Sequence, residues 1–142
     1  MLKLLIAIDG SEASMHAIEA VATMARASVS LDVLLLNVRD GPVYYGELPV
    51  FSADEIELAQ LKRQDQLLAE ATTKVQDCGL TVRASLRAEG LAAPEIVRLA
   101  AEHQVDQIVL GTRGMSAIGS LLIGSVAQRV VHLATMPVLL VK

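Results

Sequence analysis

Three glycines and a serine stand at a spacing that suits an anion: Gly111, Gly114, Gly124 and Ser125, in the order Gly-x2-Gly-x9-Gly-Ser. Glycine lets main chain approach a ligand because no Cβ intervenes. A helix opening at Ser125 would offer the unpaired N–H groups of residues 125–127 and the positive end of its dipole. Gly111, Thr112, Arg113 and Gly114, followed by Gly124, Ser125, Val126 and Ala127, therefore describe a loop and a helix mouth suited to phosphate. Ser125 can cap that helix or offer its hydroxyl to a phosphate oxygen. Arg113 is the only charge in the loop, and it reads equally as a solvated residue or a phosphate partner. Asp9 closes an apolar run near the start of the chain and is followed by Gly10 and Ser11. It can cap the next helix or face a ligand.

The elements that must hold these residues are legible in the pattern. Short apolar runs alternate with helical periods, as in parallel α/β sheets. Strands are expected at 2–8, 31–38, 80–88, 107–110 and 137–141, and helices at 12–27, 52–79, 93–103 and 125–134. Ser11 can cap the first helix, and Ser52 with Glu55 has the spacing of a capping box at the second. Gly79 suits a left-handed helix end, and Pro94 suits a first helical turn. The result is one domain, residues 1–142, of the α/β class: a five-stranded parallel doubly wound sheet with helices on both faces. Right-handed crossovers restrict the sheet order, and 3-2-1-4-5 satisfies them. Ligands of such sheets bind beyond the strand ends where the winding reverses. Here that point lies between strands 1 and 4, so Asp9 and Gly111–Gly114 would meet there.

Composition bounds the function. Hydrophobic residues make up 53% and charged residues 20%, which excludes a disordered chain. A formal charge of −4 argues against duplex nucleic acid, whose binding needs a basic face. The single cysteine, Cys78, rules out an intrachain disulfide. A mean hydropathy of +0.48 raises the question of a membrane span. The most apolar stretch is interrupted by Gly119, Gly124, Arg129, His132 and Pro137, so no span is expected. The apolar run before Asp9 is too short for a secretory leader, and a cytoplasmic protein is expected. His16, His103 and His132 fall on three helices without a shared spacing, so no metal cluster of side chains is expected. Tyr44, Tyr45 and Phe51 cluster in the 39–52 loop, where they can form a flap, a partner patch or packing onto the second helix. The third strand carries Arg83 and Arg87, which guard an edge. The fifth, Val138–Val141, is apolar, and pairing with a second copy is the expected cover.

Two common phosphate fingerprints do not fit. No Gly-Lys-Ser/Thr follows as in a Walker A loop, and the glycines follow the fourth strand rather than the first. The spacing instead resembles the motif of the ATP-binding branch of the universal stress protein family. The likeness runs along the chain, through Ile-Asp-Gly-Ser-Glu at 8–12, Leu-Leu-Asn-Val at 35–38 and Met-Pro-Val-Leu-Leu-Val at 136–141. The resemblance implies a fold like the adenine nucleotide alpha hydrolases, a stress-response or signalling role, and homodimers through the last strand. It also implies an ATP site with a Mg or Mn ion bound through the phosphates. Carried over by position, Ala7, Ile8 and Asp9 line the adenosine end, and the backbone of Val38 meets the adenine edge. Gly111, Thr112, Arg113 and Gly114 follow the ribose and phosphates, and Gly124, Ser125, Val126 and Ala127 receive the outer phosphates. Ala127 stands where some members carry a hydroxyl, so ADP or AMP is expected to bind nearly as well. No catalytic residue is expected, because residues 112–127 hold neither a general base nor paired cations for the γ-phosphate. Binding is favoured over slow ATP hydrolysis. The intact glycine motif disfavours a nucleotide-free interaction module of the same fold.

Overall fold

Strands buried on both faces need nearly unbroken apolar runs, and three of the strands have them. These are β1 (Leu2–Ala7), β2 (Leu31–Arg39) and β4 (Gln107–Gly111). Leu4, Leu5 and Ile6 in β1, and Val33 to Leu36 in β2, are fully or almost fully buried. In chain order the elements are β1, α1 (Glu12–Arg26), β2, α2 (Ala53–Asp77), β3 (Val82–Glu89), α3 (Ala92–Glu102), β4, α4 (Ser125–Leu133) and β5 (Val138–Val141). The computed structural model describes residues 1–27, 30–41, 52–112 and 123–142.

All strand pairings are parallel, and the five-stranded sheet has the order β3-β2-β1-β4-β5. This is the predicted topology. Alternate side chains along each strand feed two cores. Leu4, Ile6, Val33, Leu35 and Val109 pack under α1 and α2, against Ile18, Val21, Leu68 and Val75. Leu5, Leu34, Leu36, Ile108 and Leu110 pack under α3 and α4, against Ile96, Leu99, Ala127 and Val130. Among the described residues, no helix is long and apolar enough to cross a membrane.

The helix ends follow the local chemistry. Ser11 Oγ accepts from the Ser14 N–H at 3.2 Å, and Ser52 and Glu55 close the capping box from both sides. Gly79 has φ +80 just past the end of α2. On the outer edge, Arg83 of β3 pairs with Asp32 at 2.6 Å and Arg87 with Asp65 at 3.2 Å, so the edge charges bind their neighbours. Lys74 of α2 reaches Glu19 of α1 at 2.6 Å, and this hydrogen bond holds the Glu19 carboxyl below its ordinary range.

Several boundaries shift by one or two residues, β3 opening at Val82 rather than 80 and α2 closing at Asp77 rather than 79, and one shift bears on the site. β1 ends at Ala7 rather than Ile8, because the Ile8 carbonyl accepts the Asn37 side-chain amide at 2.6 Å instead of a ladder bond. The chain then turns at Gly10, which has φ +87 and comes so close to α2 that a Cβ would lie 2.8 Å from Leu67 Cδ2. Gly10→Ala should therefore cost about 1–2 kcal/mol, mostly from the left-handed backbone. Urea unfolding measures it, and an unchanged midpoint would contradict this reading of the turn.

Candidate functional site

The carboxyl ends of β1 and β4 lie side by side at the point where the winding reverses, and the predicted residues divide around that crevice. On the β1 side, Asp9 Oδ1 accepts from both the N–H and the hydroxyl of Ser11, at 2.9 and 2.5 Å. Asp9 thus steadies the residue that caps α1, an Asx turn rather than a cap of its own. Its Oδ2 has no partner among the described residues, and the side chain is exposed. Ile8 has its N–H on Leu36 O at 2.7 Å, its carbonyl on Asn37 and its side chain in the core, so it shapes the wall. Ala7 turns its methyl to the α3/α4 face, as Val38 turns its side chain.

The main chain of Val38 is more informative. Along a parallel strand, the N–H and C=O of successive residues face alternate neighbours. Leu36 O accepts from Ile8 and Arg39 O accepts from Gly90, at 2.7 and 2.9 Å. Val38 therefore presents its N–H and C=O toward β1, beyond the last β1/β2 rung at Ala7 and Leu36. Neither group has a partner among the described residues. A donor and an acceptor stand side by side at the edge of the crevice.

On the other side, Gly124 is the N-cap of α4 and makes no side-chain cap bond. Ser125 is the first helical residue, so of its two predicted roles the cap is not the one it takes. The amides of Ser125, Val126 and Ala127 have no partner among the described residues, while Gln128 N–H closes onto Gly124 O at 3.0 Å. Every other helix carries a carboxylate in its first turn, where the dipole favours one; α4 carries none. The Ala127 methyl is buried against the α3/α4 core, so this position offers an amide and no hydroxyl. The ends of the intervening loop are pinned. Gly124 N–H donates to Thr112 O at 2.5 Å, and Thr112 N–H donates to Val141 O at 2.8 Å. Arg113, Gly114 and the aromatic residues Tyr44, Tyr45 and Phe51 lie outside the described residues.

Three participants were not visible in the sequence. Arg63 Nη2 of α2 lies 3.7 Å from the point a Cβ on Gly10 would occupy, which brings a cation from a distant element beside the turn after β1. Its signal is the helical i, i+4 relation to Leu67, the residue that meets Gly10. Gln128 Nε2 donates to Ile123 O at 2.7 Å and holds the entry to α4. Gln64, buried in α2, donates to Asn37 Oδ1 at 2.9 Å. Among the described residues, no three His, Cys, Asp or Glu side chains gather in a way that could hold a metal ion.

These features define a doubly wound α/β protein in which the ends of β1 and β4 meet at the switch point. The universal stress protein family model matches residues 1–142, and the chain belongs to that family. It is similar to the universal stress protein YxiE of Bacillus subtilis, at 33% identity over 99% of this chain and 98% of that one. The solved structure of MJ0577 from Methanocaldococcus jannaschii superposes with a TM-score of 0.81 at 26% identity, covering 99% of this chain and 95% of that one. Neighbours of the same fold at lower identity hold adenine nucleotides. One holds cAMP (TM-score 0.73, 22% identity), one from Archaeoglobus fulgidus holds dAMP (0.67, 20%), and one from Arabidopsis thaliana holds AMP (0.71, 19%).

Gly111 has a structural duty whatever else it does. A Cβ there would stand 2.6 Å from Ala13 Cβ and 2.8 Å from the Ala13 carbonyl carbon, so β4 meets α1 only through a glycine. Gly111→Ala should lower stability by about 1–3 kcal/mol, since helix backbone must shift to admit the methyl. A thermal midpoint equal to that of the parent would contradict this assignment.

Proposed function

We propose that this chain is an adenine-nucleotide-binding stress-response or signalling module, with the nucleotide lying across the β1/β4 crevice. The observation that carries the reading is the α4 mouth: three amides without a partner among the described residues, at a positive dipole end, with no carboxylate in the turn. The adenine end falls to Val38. Adenine presents an acceptor, N1, beside a donor, the 6-amino group, and the Val38 N–H and C=O match them in kind. Gly111 and Thr112 then run beside the ribose, with Asp9 and Ala7 at the adenosine end. Arg113 and Gly114 follow the phosphates, and Gly124, Ser125, Val126 and Ala127 receive the outer ones.

The ligand class includes ATP, ADP and AMP. The neighbours' ligands each carry one phosphate, and Ala127 lacks a hydroxyl with which to favour a longer tail. A Mg or Mn ion would be carried by the phosphate oxygens and would supply charge neutralisation.

Gly124 offers a clean test. Its φ of −59 and ψ of 155 are open to any residue, so Gly124→Asp folds without strain and gives α4 a side-chain cap. The variant should melt no lower than the parent yet bind ATP at least roughly ten-fold more weakly, because a carboxylate beside a phosphate costs over about 1 kcal/mol even in a solvated crevice. Isothermal titration measures the affinity, and unchanged binding would refute the site.

The second element of the proposal is a homodimer through β5. Ile108 N–H donates to Pro137 O, and Thr112 N–H to Val141 O, so the odd-numbered residues of β5 bond to β4. By alternation, Val138 and Leu140 turn their main-chain groups to the free edge. Leu140→Pro removes an outward donor and spares the sheet, which an edge tolerates. Sedimentation should show dimers for the parent and monomers for the variant; an unshifted profile would overturn the β5 interface.

A further inference from the structure

We infer that Asn37 is a positioning residue: its side-chain amide ends the β1/β2 ladder one rung early and so keeps the main chain of Val38 open to the base. This deepens the nucleotide reading above and rests on it. After Ile8 N–H donates to Leu36 O, the next rung of a parallel ladder runs from Val38 N–H to Ile8 O. That rung is not made. Asn37 Nδ2 donates to the Ile8 carbonyl at 2.6 Å in a buried setting. The donor that the ladder would have consumed is left facing the crevice, with the Val38 carbonyl beside it.

The amide of Asn37 is locked in this sense by Gln64. Gln64 Nε2 faces three acceptors: Asn37 Oδ1 at 2.9 Å, Ala88 O at 3.1 Å and Asn37 O at 3.2 Å. Since Gln64 must present its NH2 group there, Asn37 must present its oxygen to Gln64 and its NH2 to Ile8. The arrangement leaves Gln64 Oε1 buried without a partner among the described residues. An orphaned buried acceptor is destabilising. Its persistence fits a network whose geometry is set by what it orients. Through it, α2 holds the ends of β1, β2 and β3 at a fixed separation. The consequence is selectivity carried by main chain: an N–H and a C=O side by side accept adenine, whereas hypoxanthine turns an N1–H toward the N–H and a carbonyl toward the C=O.

The test compares the parent with Asn37→Leu, which fills the same space without an amide, and with Gln64→Met, which removes the lock and leaves Asn37. In the ligand-free parent, the Val38 amide should exchange with solvent far faster than the laddered amides of Leu35 and Leu36, and AMP should slow it. In Asn37→Leu, Val38 should be protected without ligand, because its N–H closes onto the vacated Ile8 carbonyl. AMP affinity should fall roughly ten-fold, the worth of one hydrogen bond in a desolvated site. The preference for AMP over IMP should shrink, while ribose 5-phosphate, which meets only the α4 end, should bind as before. Gln64→Met should move the same readouts in the same direction by less. A Val38 amide as protected as its neighbours in the parent would overturn the inference, as would parallel losses for AMP and ribose 5-phosphate. Should Asn37→Leu fail to fold, the parent exchange rates and Gln64→Met decide. Should the parent bind no AMP, the nucleotide reading falls, and the exchange contrast still judges what Asn37 does to Val38.

Discussion

A parallel ladder consumes the polar groups of its strands, so a protein that reads ligands with main chain must stop pairing at a chosen residue. Here the choice is made at the Ile8 carbonyl, which accepts a side-chain amide from Asn37 where the sheet would have supplied the N–H of Val38. β1 then leaves the sheet through Asp9 and Gly10, and the crevice opens between it and β4. The early end of β1 and the unpaired main-chain groups of Val38 go with that exchange.

The two ends of the proposed site are held by separate anchors, which would let one fold grip a ligand with two chemistries. At the base end, Asn37 and Gln64 tie β1, β2, β3 and α2 into one buried polar network. At the phosphate end, Thr112 is bonded to β5 on one side and to the cap of α4 on the other, so the helix mouth is fixed relative to the sheet. Glycine serves different masters at the two ends. Gly10 is demanded by a left-handed turn, and Gly111 by the approach of α1, whereas Gly124 sits in an ordinary conformation and matters for the side chain it lacks.

Much of this was legible in the residues. Unbroken apolar runs marked the buried strands, Ser11 and the Ser52–Glu55 pair marked helix starts, and handed crossovers gave the sheet order. The glycine spacing pointed to the α4 mouth, and the family likeness pointed to Val38. What stayed hidden depended on register. Asn37 stands within the Leu-Leu-Asn-Val run of β2 and Gln64 in the middle of α2, yet they meet across 27 positions, and Asn37 reaches Ile8 across 29. Arg63 was hidden for the same reason: nothing local says that α2 will lay it beside Gly10. The packing duty of Gly111 was masked by a motif that already explained a glycine there.

The most direct measurement of the central claim, that free main-chain donors at both ends of the crevice take one nucleotide, is an amide shift titration of the isotope-labelled protein with ATP. The account predicts saturable, coincident shifts at Val38 and at Ser125, Val126 and Ala127, with one dissociation constant. Silence at these amides while others respond, or two unrelated constants for the two ends, would contradict it.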